Sequence, residues 1–263
     1  MMNIIKKHNE NIYSLKVPYE DVYTFLYIIT TDFGTILYDC GSSAADVNES
    51  IVPALRELNL DFKLSAVFLS HRHSDHAGGL DELLRHYPSV TVYSLSEGIM
   101  EKFSASANIK GFADDDIILG PLRAVRLPGH TADSAALLDT RTGSLICGDS
   151  LQFYGLFGSG LWGANAPLPD LYLESLDKLE TTYKILNIYA AHDYHPYGAV
   201  HEGRDAVKRA IDSCRAAISQ IVWLIEQNRS LDNEKIAELY HSYGKLPKIS
   251  SNVIDAIRKT LTD

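Results

Sequence analysis

A short apolar run followed at once by a histidine-rich turn constrains this chain more than any other feature: LSAVFL at 64–69, then SHRHSDHAGG at 70–79. The first segment suits a strand buried in the middle of a sheet. Three of the ten histidines and one aspartate fall in the second, between His71 and His76. Alternation at a strand end aims His71 and His73 toward one space, and the turn behind them brings Asp75 and His76 in from another side. Imidazole with carboxylate suits Zn²⁺, Fe or Mn²⁺, and suits neither Ca²⁺ nor a thiolate cluster. Gly78 and Gly79 permit tight backbone packing where this loop meets the next helix. A lone histidine is more often a core or surface residue than a ligand, but H-x-H-x-D-H directly behind a buried strand calls for a metal.

Around that segment, apolar periodicity alternates between strand and helix. Strands are expected at 12–17, 23–30 and 35–39, with Asp32 to Gly34 as a turn. A helix follows over 44–59, with Pro53 its weak point, and further helices over 80–87 and 96–103 flank a strand at 90–93. Strands return at 122–127, 135–139 and 145–147, with a turn at 141–143. Residues 150–169 read as a long Gly- and aromatic-rich loop, a length that usually signals function. An amphipathic helix over 172–186 and a strand at 187–191 lead to a region helical from Gly203 to the end, broken at Ser230 and around 244–247. The expected organisation is one domain at 1–202 with a helical extension at 203–263 packed on it.

Four more short segments carry chemistry. Asp39 lies in LYDCG (37–41), His130 in PGHT (128–131), Asp149 in GDS (148–150) and His192 in AHD (191–193). With HRHSDH between the first and second of these, the chain resembles the metallo-β-lactamase superfamily of hydrolases, which places five ligand-bearing segments at successive strand ends. Only the last departs, since many members read Gly-His-Gly there. The resemblance implies an α+β fold, a four-layer αββα sandwich of two sheets flanked by helices, here with a C-terminal helical extension. It implies two divalent metal ions, zinc first, with iron or manganese as alternatives. One would sit on His71, His73 and His130, the other on Asp75, His76 and His192, with Asp149 bridging both. Two carboxylates against two divalent ions leave residual positive charge, which lowers the pKa of bound water and stabilises a bridging hydroxide. Asp75 and Asp149 are therefore expected catalytic residues, and Asp39 is expected to orient a ligand histidine through its second nitrogen.

An aspartate at the bridging position resembles thioesterases of glyoxalase type and acyl-homoserine lactonases rather than the enzymes that open β-lactams. The thioesterases usually carry basic residues after the fourth segment to grip glutathione; residues 151–163 hold no Lys or Arg. They offer Phe153, Tyr154, Phe157 and Trp162 instead, as a wall for an apolar substrate group or as packing under the helical tail or in a homodimer. Tyr154 and Tyr194 are candidates for a phenol that hydrogen-bonds the developing oxyanion, as in lactonases of that family. The expected function is dinuclear hydrolysis of a small ester, lactone or thioester. The alternatives in the same fold are a mononuclear-iron sulfur oxygenase, a β-lactamase and a nuclease. A flavin-linked di-iron redox protein is disfavoured by His73, where that branch usually has glutamate.

A formal net charge of −10 repels phosphate backbones and anionic membrane surfaces, so neither nucleic acid nor membrane is an expected partner. Three widely spaced cysteines, Cys40, Cys147 and Cys214, disfavour a disulfide framework. The first ten residues turn polar too early for a signal peptide's apolar core. A cytoplasmic location is the expectation.

Overall fold

The structure is a computed structural model that describes residues 5–105, 107–155, 164–242 and 249–261. The chain divides into two compact units, Met1–Arg126 with Ala135–Arg141, and Leu127–Ser134 with Thr142–Asp263.

The first unit is built on a seven-stranded sheet whose strands lie in chain order: β1 (Ile5–Lys7), β2 (Ile12–Tyr19), β3 (Val22–Thr31), β4 (Gly34–Tyr38), β5 (Leu64–Phe68), β6 (Thr91–Tyr93) and β7 (Asn108–Lys110). Strands β1 to β4 are antiparallel neighbours joined by turns. From β4 to β7 the pairing is parallel, so each connection has to cross over and carries helix. These crossovers hold α1 (Ala44–Asp46), α2 (Val52–Glu57), α3 (Ser74–Ala77), α4 (Leu80–His86) and α5 (Glu97–Phe103). Three further strands, β8 (Ile117–Leu119), β9 (Leu122–Arg126) and β10 (Ala135–Asp139), pair antiparallel in that order. The core of the unit gathers Leu15, Leu26, Ile28, Leu37, Val67 and Val92 of the sheet with Val47, Ile51, Leu55, Leu80 and Leu83 of the crossovers. Burying each such side chain contributes about 1.5–3 kcal/mol.

The helix expected at 44–59 is interrupted where Pro53 threatened it. Between α1 and α2 lies a π-helical turn, Val47–Ile51, closed by the Val52 N–H donating to Val47 O. Proline lacks an N–H and its ring crowds the carbonyl four residues back; widening one turn accommodates both defects without ending the helix.

The second unit pairs β11 (Ser144–Gly148) parallel to β12 (Asn187–Ala190), which in turn pairs antiparallel to β13 (Val200–Glu202). Its helices are α6 (Pro169–Thr182), α7 (Arg204–Gln227), α8 (Asn233–Ser242) and α9 (Ser251–Thr260). Helix α6 starts earlier than its apolar period indicates, because Pro169 is well suited to a first turn, where no N–H is needed. Along α7 the residues Val207, Ala210, Ile211, Cys214, Ala217, Ile218, Ile221 and Leu224 recur at helical spacing and are buried. Helix α7 contacts α6, α8 and α9. The helices expected after Gly203 are thus present, with a break at 228–232; the second expected break lies outside the described residues. Cys40, Cys147 and Cys214 are buried free thiols. Among the described residues no helix is long and apolar enough to cross a membrane.

Candidate metal centre

Parallel pairing puts the carboxyl ends of neighbouring strands side by side, and each unit uses this to gather polar side chains. In the first unit β4 and β5 are the pair, with Tyr38 opposite Phe68. The next residue, Asp39, has φ +61°, a left-handed conformation that Asp tolerates better than most residues. Its N–H donates to Phe68 O at 2.9 Å, and its carboxylate turns onto the loop after β5. Asp39 Oδ1 accepts the Ser70 N–H at 2.7 Å and Oδ2 accepts the Ser70 hydroxyl at 2.8 Å. Asp39 Oδ2 also lies 2.7 Å from His76 Nδ1. Burial pushes the Asp39 carboxyl above its ordinary range, and these donors act against that rise.

The hydrogen bonds fix which nitrogen of each imidazole is available. A carboxylate only accepts, so His76 carries its proton on Nδ1 and presents the Nε2 lone pair. The Ser70 hydroxyl has one proton, given to Asp39, so it accepts from His71 Nδ1 at 2.9 Å and leaves His71 Nε2 as a lone-pair donor. His71 Nε2 and His73 Nδ1 lie 2.9 Å apart; His76 Nε2 and Asp75 Oδ2 lie 3.1 Å apart. Two ligands about 2.0–2.1 Å from one ion, at right angles to tetrahedral angles, stand roughly 2.9–3.4 Å from each other. Both pairs fit that spacing. Thr24 supports the second through its hydroxyl, which donates to Asp75 Oδ2 at 3.3 Å.

Gly78 and Gly79 seat this loop. A Cβ on Gly78 would lie 2.2 Å from Ser42 O, and one on Gly79 2.1 Å from Cys40 O. The backbone of 40–42 runs against the loop at contact distance, and the Cys40 N–H donates to His76 O at 2.7 Å. The close approach expected of the two glycines is therefore with the segment carrying Asp39.

In the second unit β11 and β12 are the parallel pair, with Gly148 opposite Ala190. Asp149 follows directly on the end of β11, His192 lies two residues past the end of β12, and the loop 127–134 supplies His130. All three side chains are buried. Asp149 Oδ2 lies 3.5 Å from His130 Nε2, and Asp149 Oδ1 lies 3.4 Å from His192 Nε2. The carboxylate thus turns one oxygen to each imidazole. His130 Nδ1 donates to Asn165 O at 2.8 Å, so the nitrogen it turns to Asp149 is the lone-pair one. Two lone-pair atoms facing each other need a cation, and the same holds for His76 and Asp75. Bound metal meets that need without protonating the imidazoles.

The two candidate phenols lie in the second unit. Tyr194 is buried and donates its hydroxyl proton to Gln152 Oε1 at 2.8 Å; burial, then the Asp149 charge, raises its pKa. Tyr154 is partly exposed. Phe153 has no exposed surface, and its ring is edge-on to Tyr194 at 5.5 Å; Phe157 and Trp162 lie outside the described residues. Sequence reasoning missed Ser70, Thr24, Asn165 and Gln152. Ser70 adjoins the histidine cluster, whereas nothing in the sequence marks the other three.

The comparison with known proteins decides the family. A family model of the metallo-β-lactamase superfamily matches residues 19–192, which is most of the chain. The chain belongs to the metallo-β-lactamase superfamily. Its metallo-β-lactamase fold of two sheets with helices, continued by C-terminal helices, is the α+β architecture expected from the motifs. Among curated relatives it is similar to hydroxyacylglutathione hydrolases. That of Francisella philomiragia is 32% identical over 135 residues, 50% of each chain, and that of Photobacterium profundum is 31% identical over 148 residues, 55% of this chain and 53% of the relative. The match therefore spans about half the length of these relatives. Among solved structures, the metallo-β-lactamase of Erythrobacter litoralis superposes with a TM-score of 0.63 at 17% identity, covering 81% of this chain and 96% of the other. The metallo-β-lactamase of Pontibacter korlensis gives the same score and identity over 81% and 99%. At that identity the likeness is one of fold.

Proposed function

We propose that this member of the superfamily is a metal-dependent hydrolase of a small thioester, ester or lactone, working with two divalent ions. His71, His73 and His130 would hold one ion and Asp75, His76 and His192 the other, with Asp149 shared. The observation that carries this reading is the Asp149 carboxylate, whose two oxygens face two different imidazoles at 3.5 and 3.4 Å, the disposition a bridging ligand needs. When bound, a pair of divalent ions supplies a nucleophile from water at neutral pH and polarises the substrate carbonyl.

The protein's own groups do the rest. Asp39 and Ser70 hold His76 and His71 in the tautomer that donates through Nε2. Asn165 does the same for His130. Of the two phenols, Tyr194 already donates its O–H in a hydrogen bond to Gln152, so Tyr154 is the proposed hydrogen-bond donor to the oxyanion. The relatives' name puts thioesters first among substrates. The absence of Lys and Arg from residues 151–163 points to an acyl group with an apolar part rather than a glutathione carrier.

Metal analysis of the purified protein, with a panel of thioesters, lactones, esters and a chromogenic β-lactam, tests the reading. The expected result is two ions per chain and turnover of thioester or lactone well above that of β-lactam. One iron per chain with no hydrolysis on the panel overturns it in favour of the oxygenase alternative.

A further inference from the structure

Gln152 is buried, three residues beyond Asp149, and its side chain is almost fully committed. Its Oε1 accepts the Asn165 N–H at 2.9 Å and the Tyr194 hydroxyl at 2.8 Å. Its Nε2 donates to Asp149 O at 2.8 Å. Its backbone is held as well, since the Gln152 N–H donates to the Tyr172 hydroxyl at 2.8 Å and that hydroxyl donates to Gln152 O at 3.2 Å. A backbone N–H only donates and a carbonyl only accepts, so Asn165 and Asp149 together fix the amide's orientation.

These contacts close a ring. Gln152 holds the Asn165 N–H, the carbonyl of Asn165 holds His130 Nδ1, His130 Nε2 faces Asp149 Oδ2, and the Asp149 carbonyl holds Gln152. We propose that Gln152 is a positioning residue that sets the tautomer of His130 and the aim of Asp149 together through one amide group. This rests on the reading of His130 and Asp149 as metal ligands for its consequence in catalysis and for the His130–Asp149 link; the three hydrogen bonds through Gln152 and Asn165 stand without it. Of the replacements of similar length, ionised Glu accepts twice but cannot donate to Asp149 O, and Met fills the volume with neither.

The test compares wild type with Gln152→Met and Gln152→Glu. In metal-free protein at alkaline pH, long-range proton–nitrogen NMR of the histidine rings, with His130 assigned through His130→Gln, reads the tautomer directly. Wild type and Gln152→Glu are expected to hold His130 as a single Nδ1–H tautomer, and Gln152→Met to show both tautomers. In cobalt titration Gln152→Met is expected to bind about 10–100-fold more weakly, with kcat lowered and KM within twofold of wild type. A Gln152→Met protein that keeps the single tautomer overturns the proposal. If Gln152→Met does not fold, Asn165→Pro removes the same hydrogen bond from the donor side and is held to the same outcomes. Wild type that shows the tautomer pattern above but takes up no cobalt in the titration refutes the dinuclear reading and leaves the Gln152 assignment standing.

Discussion

His76 Nδ1 donates to Asp39 Oδ2 at 2.7 Å, with both side chains fully buried. One carboxylate, at the end of β4, thereby fixes the ring of a histidine that follows β5. Asp39→Asn is expected to weaken metal binding by about 10–100-fold, or roughly 1.4–2.8 kcal/mol. Asn tolerates the φ of +61° found at this position, but its NH2 replaces an oxygen that accepts from Ser70 and His76, so the metal-free protein is expected to lose about 1–3 kcal/mol of stability. A competition titration with a chromophoric zinc chelator measures the loss; unchanged affinity sinks the assignment of His76 as an oriented ligand.

Asp149→Asn is expected to cost more, above about 100-fold in affinity for at least one ion, because it removes a charged ligand and replaces one oxygen by an N–H donor facing an imidazole. Elemental analysis after dialysis is expected to find fewer ions per chain than in wild type, with turnover lost. Full metal content with wild-type turnover contradicts the shared-ligand role.

The two phenols separate by a paired experiment. Tyr154→Phe is expected to lower kcat about 10²-fold, the cost of one oxyanion donor. Tyr194→Phe is expected to remain active within a few-fold and to lose about 1 kcal/mol of stability, the net value of a hydrogen bond to Gln152. Steady-state kinetics and urea unfolding on both variants decide it, and the opposite ranking in kcat reverses the roles.

Gly129 precedes His130 with φ +152°, and a Cβ there would sit 2.6 Å from Tyr172 Cβ and 2.7 Å from Tyr172 Cα. Backbone strain and overpacking each cost about 1–3 kcal/mol. Gly129→Ala is therefore expected to destabilise by at least about 2 kcal/mol in urea unfolding. A stability equal to wild type shows that the turn before His130 has room to relax.

His8 is half-buried against Ser14, 2.9 Å from its hydroxyl, and burial, with Lys6 second, lowers its pKa to about 4. Above pH 6.5 both folded and unfolded chains hold His8 neutral. As pH falls from 6.5 toward 4 the unfolded chain takes up a proton that the folded chain refuses, so stability is lost over that window. Partial exposure reduces the effect below the full shift. The drop in urea midpoint between pH 7.5 and pH 4.5 is expected to be larger in wild type than in His8→Gln; equal drops mean His8 titrates alike in both states.

Much of this molecule was legible in its sequence because the signals are local. Residues 64–69 had to be a buried strand, and 135–139 is read without error because every residue of β10 is buried. The five candidate segments stand out because each sits in a short, chemically distinctive string. Strands β1, β7, β8 and β13 escaped, since three residues show little period of their own; β6, equally short, was marked by the helices expected on either side of it. The π turn before Pro53 escaped as well: a proline announces a defect in a helix without saying whether the chain will break or widen around it.

The order of strands and helices and the chemical identity of the donor set belong to the sequence, because hydrophobic period and residue type act over a few neighbours. Which nitrogen each histidine offers belongs to the tertiary structure. Asp39 reaches His76 across 37 positions and the Asn165 carbonyl reaches His130 across 35, and only parallel strand ends and folded loops bring such partners within a hydrogen bond. Gln152 shows the difference most plainly: in the sequence it is an ordinary polar residue in a loop, and in the fold its amide joins three backbone and side-chain groups that nothing in their spacing connects.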